Sequence, residues 1–226
     1  MEDNYYIDLK AISLSEYKKE LEQAELLPSR KILKEDIQQR FACLSQLGIK
    51  SLDDLLRALK TPEKLKAFAQ KTGLPEEYLV ILKREIGSSQ PKPVNLKDFP
   101  GISQDTIQKL ETLGIGNTKQ LFSLVKTPDD RQELGHKTGI SGADILELTK
   151  LTDVSRIRWV GANFARLLVD SEWDTVEKVA QADYPQLYNE LVRINKEKEY
   201  FKGMFGLNDM KLCINAAKLV PAAIQY

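Results

Sequence analysis

Leu113-Gly114-Ile115-Gly116-Asn117, followed by Lys126-Thr127-Pro128 and Lys137-Thr138-Gly139, is the stretch on which the reading of the fold turns, because the chain has already used it once. Leu47-Gly48-Ile49, Lys60-Thr61-Pro62 and Lys71-Thr72-Gly73 precede it at one constant spacing of 66 positions (47 to 113), without a gap. Three clusters that keep one offset mark a small folding unit used more than once. Working outward, Phe99-Pro100-Gly101-Ile102-Ser103 stands before the second copy. A weaker third copy opens with Arg158-Trp159-Val160-Gly161-Ala162, at an offset of 58 (103 to 161). The first copy aligns through Phe41, Leu44 and Leu47 but carries Asp36-Ile37 where a turn glycine belongs, so its turn is expected to be lost or rebuilt.

Each unit reads as several short helices. Ser13-x-x-Glu16 has the pattern of a capping box, and Ser51 with Asp54 and Asn117 with Gln120 start helices in the same way, since a side-chain oxygen at the cap takes up an otherwise unpaired amide. In Thr61-Pro62 and Thr127-Pro128 the threonine caps, and proline at the first helical position forfeits no hydrogen bond. Gly48 and the Lys-Thr-Gly triplets suit helix C-termini, where glycine adopts the left-handed conformation and lysine lies near the negative end of the helix. Further helices are expected over Ile145–Val154, from Pro185 through Ile194, and from Asn208-Asp209 onward. Tyr5-Tyr6-Ile7-Asp8-Leu9 suits either a short strand or an extended arm. The expected fold class is all-α, a tandem array of helix-hairpin-helix-like units of short helices. Gly87-Ser88-Ser89-Gln90-Pro91-Lys92-Pro93 disfavours helix, which divides the chain into residues 1–86, a linker over 87–95, and residues 96–226.

The turns carry a resemblance. Gly101-Ile102-Ser103 and Trp159-Val160-Gly161 are similar to the Gly-hydrophobic-Gly turn of helix-hairpin-helix modules, with Ser103 in place of the second glycine and Trp159 in place of the first. With the Lys137-Thr138-Gly139-Ile140-Ser141 segment, the chain from about residue 30 onward also resembles bacterial proteins carrying the domain of unknown function DUF4332. Helix-hairpin-helix proteins hold DNA backbones through such turns, where backbone N–H groups and a helix N-terminus approach a phosphate. The resemblance therefore implies a nucleic-acid contact built from Gly101, Ile102, Ser103, Val160, Gly161 and Ala162, with Lys109, Arg156, Arg158 and Arg166 as nearby cations. The reading against it treats the turns as connectors packed by Ile102, Trp159 and Val160.

Composition limits what else the chain can do. Its 226 residues are 42% apolar and 29% charged, which suits a globular protein. Lys+Arg and Asp+Glu stand at 33 each, so no global charge draws the molecule to polyanions. The opening Met1-Glu2-Asp3-Asn4 lacks a basic region and an apolar run, and no segment has the length of a membrane span, so a cytoplasmic protein without membrane contact is expected. Cys43 and Cys213, the two cysteines, are expected to be buried thiols.

No catalytic constellation emerges. Ser15-Glu16-Tyr17-Lys18 and the Lys-Thr-Gly triplets match fragments of penicillin-recognising enzymes, but the triplet occurs twice, ends helices, and is joined by no Ser-Asp-Asn. His136, the single histidine, sits at an expected helix end. Metal-ligand spacings and phosphate-binding glycine loops of the nucleotide-binding kinds are absent, and no cofactor is implied. Two functions follow as expectations: a non-enzymatic module that contacts a DNA or RNA backbone without sequence specificity, or a protein-interaction scaffold that contacts no nucleic acid.

Overall fold

The computed structural model describes residues 4–24, Leu26 and 28–226. Among them are thirteen α-helices, two 3-10 segments and no β-strand, only the isolated antiparallel bridges Ser13–Ser51 and Asn95–Asn117. The fold is all-α. It divides into two compact units, Asp8–Ser88 and a second formed by Ser89–Tyr226 together with the residues up to Ile7.

That division corrects the expected boundary at the N-terminus. The first residues do not travel with the segment that follows them, because Tyr5 is inserted into the C-terminal unit, its ring edge-on to Phe122 (5.3 Å between centroids). Tyr5 to Leu9 runs through turns and irregular backbone and forms no strand.

The N-terminal unit holds α1 (Leu14–Gln23), a 3-10 segment (Pro28–Lys34), α2 (Ile37–Gln46), α3 (Leu52–Ala58), α4 (Pro62–Thr72) and α5 (Glu76–Gly87) around a core that includes Leu44, Leu55, Leu59, Tyr78 and Leu82. The C-terminal unit holds a 3-10 segment (Leu96–Asp98), α6 (Gln104–Glu111), α7 (Thr118–Phe122), α8 (Pro128–Thr138), α9 (Gly142–Val154), α10 (Ala162–Val169), α11 (Val176–Gln181), α12 (Tyr184–Lys198) and α13 (Leu207–Ala217) around Leu110, Val125, Leu151, Leu168 and Leu191.

The local signals act where the sequence puts them. Capping boxes close at Ser13, Ser51, Asn117 and Thr127, and Pro62 and Pro128 open α4 and α8. Gly73 and Gly139 end those helices in the left-handed conformation (φ 71° and 65°). The threonine of each triplet completes the cap: the Thr72 hydroxyl donates to the Phe68 carbonyl (2.8 Å) and accepts the Leu74 N–H (3.1 Å), and Thr138 repeats this with Leu134 (2.7 Å) and Ile140 (3.2 Å). Both bounds of α8 lie 66 positions beyond those of α4 (62 to 128, 72 to 138), and both bounds of α10 lie 58 beyond those of α6 (104 to 162, 111 to 169).

Helix starts are also tied by backbone pairs. Leu14 N–H donates to the Lys50 carbonyl (2.9 Å) and Leu52 N–H to Ile12 (3.1 Å); Leu96 N–H donates to Gly116 (3.0 Å) and Thr118 N–H to Val94 (2.9 Å). In front of α11 a side chain does this work, the Asp153 carboxylate accepting the Val176 N–H at 3.0 Å.

Candidate functional site

The second and third turns precede α6 and α10. Gly101 adopts φ 84°, a left-handed value that glycine takes without steric cost. Ser103 follows as the N-cap of α6, its Oγ accepting the Thr106 N–H at 3.1 Å. Ile102 is half-buried against the core of the C-terminal unit.

The third turn solves the same backbone problem with a different residue. Val160 N–H donates to the Ile157 carbonyl (3.1 Å), closing a turn in which Trp159 holds φ 70°. A positive φ at that position of a turn ordinarily calls for glycine, and for an L-residue it costs roughly 1–2 kcal/mol. Trp159 is nevertheless 53% exposed, with the Arg158 guanidinium stacked 4.0 Å from its ring centroid. Val160 turns inward and is buried. Gly161 is the N-cap of α10 and supplies no side-chain hydrogen bond, and a Cβ added to it would meet open space. Exposed Gly161 and half-buried Ala162 thus border Trp159 with little side-chain bulk.

The cations proposed around the turns are largely committed elsewhere. Arg156 is 2% exposed, and its placement against a phosphate is corrected by that burial. Its Nη1 donates to Asp153 Oδ1 (2.7 Å), Nε to the Tyr5 carbonyl (3.2 Å), and Nη2 to the carbonyls of Asn4 (3.2 Å) and Pro221 (2.6 Å). Phe122 lies under the guanidinium, 4.8 Å from ring centroid to Cζ. One side chain therefore clasps an early and a late segment of the chain. Arg166 is 9% exposed and is ion-paired with Glu147 (2.6 Å) and Asp170. It lies beside the second turn, since a Cβ on Gly101 would come within 3.9 Å of its Nη1. Lys109 pairs with Asp105 (2.7 Å). Recruiting Arg166 to a phosphate would break two pairs, and stranding one partner of a buried pair is costly.

Sequence reasoning missed Tyr5, Thr118, Asp153 and Tyr226. The Asp153 carboxylate accepts from Arg156, the Val176 N–H and the Tyr226 hydroxyl (3.0 Å), and Thr118 Oγ1 meets the Tyr5 hydroxyl at 2.6 Å. Asp153 followed three residues later by Arg156 is the one local signal of this arrangement, a spacing that suits a helical ion pair.

The remaining reactive groups are scattered. His136 is exposed on α8, where it borders a shallow depression with Asp129, Gln132, Glu133 and Lys137. Cys213 is buried, which pushes its thiol up to about 12, and Cys43 is half-buried with its thiol 3.8 Å from the Thr72 carbonyl. Among the described residues no three His, Cys, Asp or Glu side chains are grouped to hold a metal ion, and no helix is long and apolar enough to cross a membrane.

Short helices joined by small-residue turns and ended by Thr-Gly caps define an all-α protein whose conspicuous surface feature is a turn. The domain of unknown function DUF4332 matches residues 100–219, more than half of the chain, and the protein belongs to that family. The match begins at the second turn, not near residue 30 as the sequence resemblance suggested. No curated protein and no solved structure matches the chain.

Proposed function

We propose that this protein is a non-enzymatic binding module whose contact surface is centred on the Trp159 turn and whose partner is another protein. The observation that carries this reading is that Trp159 is strained and exposed at once. A left-handed tryptophan costs stability, and half of its apolar surface is left in water. A residue kept at such a cost, where glycine would serve the fold better, is a candidate for function. Tryptophan and arginine also dominate the energetics of protein interfaces, and here Arg158 lies on the Trp159 ring. The pairing of Arg156, Arg166 and Lys109 with acids weighs on the same side, because it removes the charge that a phosphate backbone would need.

A second reading has its own support. We read the two turns as degenerate helix-hairpin-helix turns within tandem units, and Gly161 leaves the start of α10 without a side-chain cap and with open space before it. That arrangement suits a phosphate oxygen of DNA or RNA. A cytoplasmic location fits either partner.

Capture of partners from cell extract, with and without nuclease, and gel shifts with short duplex DNA at about 50 mM salt decide between them. The protein reading expects capture that survives nuclease, disappears with Trp159→Ala, and is accompanied by no DNA retardation. Retardation of the wild type that Gly161→Glu abolishes would replace it with the nucleic-acid reading.

A further inference from the structure

The segment Asn4–Ile7 lies on the C-terminal unit as a short peptide lies on its receptor. Tyr5 is 1% exposed, its hydroxyl 2.6 Å from Thr118 Oγ1 and its ring edge-on to Phe122. Side-chain donors grip the backbone on either side: Arg156 donates to the carbonyls of Asn4 and Tyr5 (3.2 Å each), and Gln90 Nε2 donates to Ile7 (3.0 Å). Lys119 covers the ring of Tyr6, 4.5 Å from its centroid. Main-chain hydrogen bonds that give affinity, with a side-chain pocket that gives specificity, are also the means by which peptides are held in trans.

Two facts separate this groove from ordinary packing between neighbouring segments. Its walls, Gln90, Thr118, Lys119, Phe122 and Arg156, all lie beyond the segment Asp8–Ser88, so the arm reaches them only by way of a unit with a core of its own. Arg156 is also held by Asp153 (2.7 Å) and the Pro221 carbonyl (2.6 Å), contacts that do not involve the arm. The gripping side chain is therefore fixed in advance.

We propose that this groove is an exchange site that accepts the Asn4–Ile7 arm of a second copy of the chain in place of its own. The contacts made in trans are the same as those made in cis, and only the covalent connection differs, which is the condition under which identical segments exchange. A tethered arm competes at an effective concentration on the order of millimolar. The wild type at micromolar concentration therefore stays closed on itself, and exchange emerges when the cis contact is weakened.

The test uses two full-length variants. Tyr5→Ala keeps the groove and removes the anchor of its own arm; Thr118→Val with Gln90→Ala keeps the arm and removes two of its holds. Each alone runs as a monomer by light scattering, and an equimolar mixture at about 100 µM, below the cis effective concentration, forms a complex of twice the mass. A mixture that stays monomeric while circular dichroism shows both variants helical overturns the proposal, as does dimerisation of Tyr5→Ala alone. Should the groove variant fail to fold, a fluorescent peptide of residues 4–9 gives an independent reading. Tyr5→Ala should bind it at least about tenfold more tightly than the wild type, whose own arm competes. Equal affinity for the two proteins, or no binding to either, refutes exchange.

Discussion

Replacing Trp159 by alanine and by glycine separates the strain in its backbone from the packing of its ring. Both variants delete the indole, so both lose the same half-buried apolar surface and the same contact with Arg158. They differ in one atom that matters, a Cβ on a residue held at φ 70°. A left-handed alanine bears a cost of roughly 1–2 kcal/mol that glycine escapes, offset in part by the greater freedom of glycine in the unfolded chain. Trp159→Gly should therefore be more stable than Trp159→Ala by about 1 kcal/mol. The reciprocal change lies at the second turn, where Gly101 holds φ 84° and an added Cβ meets nothing closer than Arg166 Nη1 at 3.9 Å. Gly101→Ala should lose about 1 kcal/mol through strain alone, without a clash. In thermal unfolding of the C-terminal unit these differences correspond to about 2–4 °C each. Equal melting of the two Trp159 variants, or a more stable alanine, would refute the strain on which the functional reading rests. Binding of a captured partner should be lost in both variants, because neither retains the indole.

Two further outcomes follow from the buried charges. Arg156→Met leaves Asp153 buried without its cation and should cost about 3–5 kcal/mol in urea unfolding, while Arg156→Met with Asp153→Asn should recover part of that loss; equal stability of the single and double variants would contradict the pairing. Burial alone would raise the pKa of Asp174, but Lys150 (2.5 Å) and Lys178 (2.7 Å) outweigh it and hold the carboxyl below the usual range. With its folded pKa lowered, this group contributes stability above the ordinary carboxylate pKa of about 3.9 and loses it as pH falls through the folded value. Asp174→Asn should accordingly flatten the decline in urea midpoint between about pH 5 and about pH 2, and a decline parallel to the wild type would exclude the assignment.

What the sequence disclosed and what it hid divide by distance along the chain. The caps at Ser51, Asn117 and Thr127 join residues three apart, so their chemistry is complete within a short window. The rebuilt first turn was legible too, since Asp36 adopts φ 47° immediately before α2. Arg156 was misread because a basic residue near a turn is ordinarily a surface cation. Its burial is decided by carbonyls 152 and 65 positions away, which no local pattern encodes. Tyr5 finds Thr118 at a separation of 113 for the same reason. At Trp159 the departure from the glycine pattern was visible, but its meaning lay in the dihedral: Trp159 holds φ 70°, close to the 84° of Gly101.

The clasp on Arg156 also orders events during synthesis. Asp8–Ser88 is synthesised before Ser89–Tyr226 and has its own core, so it can fold while Tyr5 has nothing to dock on. Arg156 emerges long after Tyr5, and Pro221, which shares the same guanidinium, later still. At about 5–20 residues per second the wait between Tyr5 and Pro221 is roughly 10–40 s. Throughout that interval the nascent chain displays an undocked segment that carries Tyr5 and Tyr6. Closing Arg156 over both segments is thus a late step of maturation, and the interval before it is when the arm is most open to another chain.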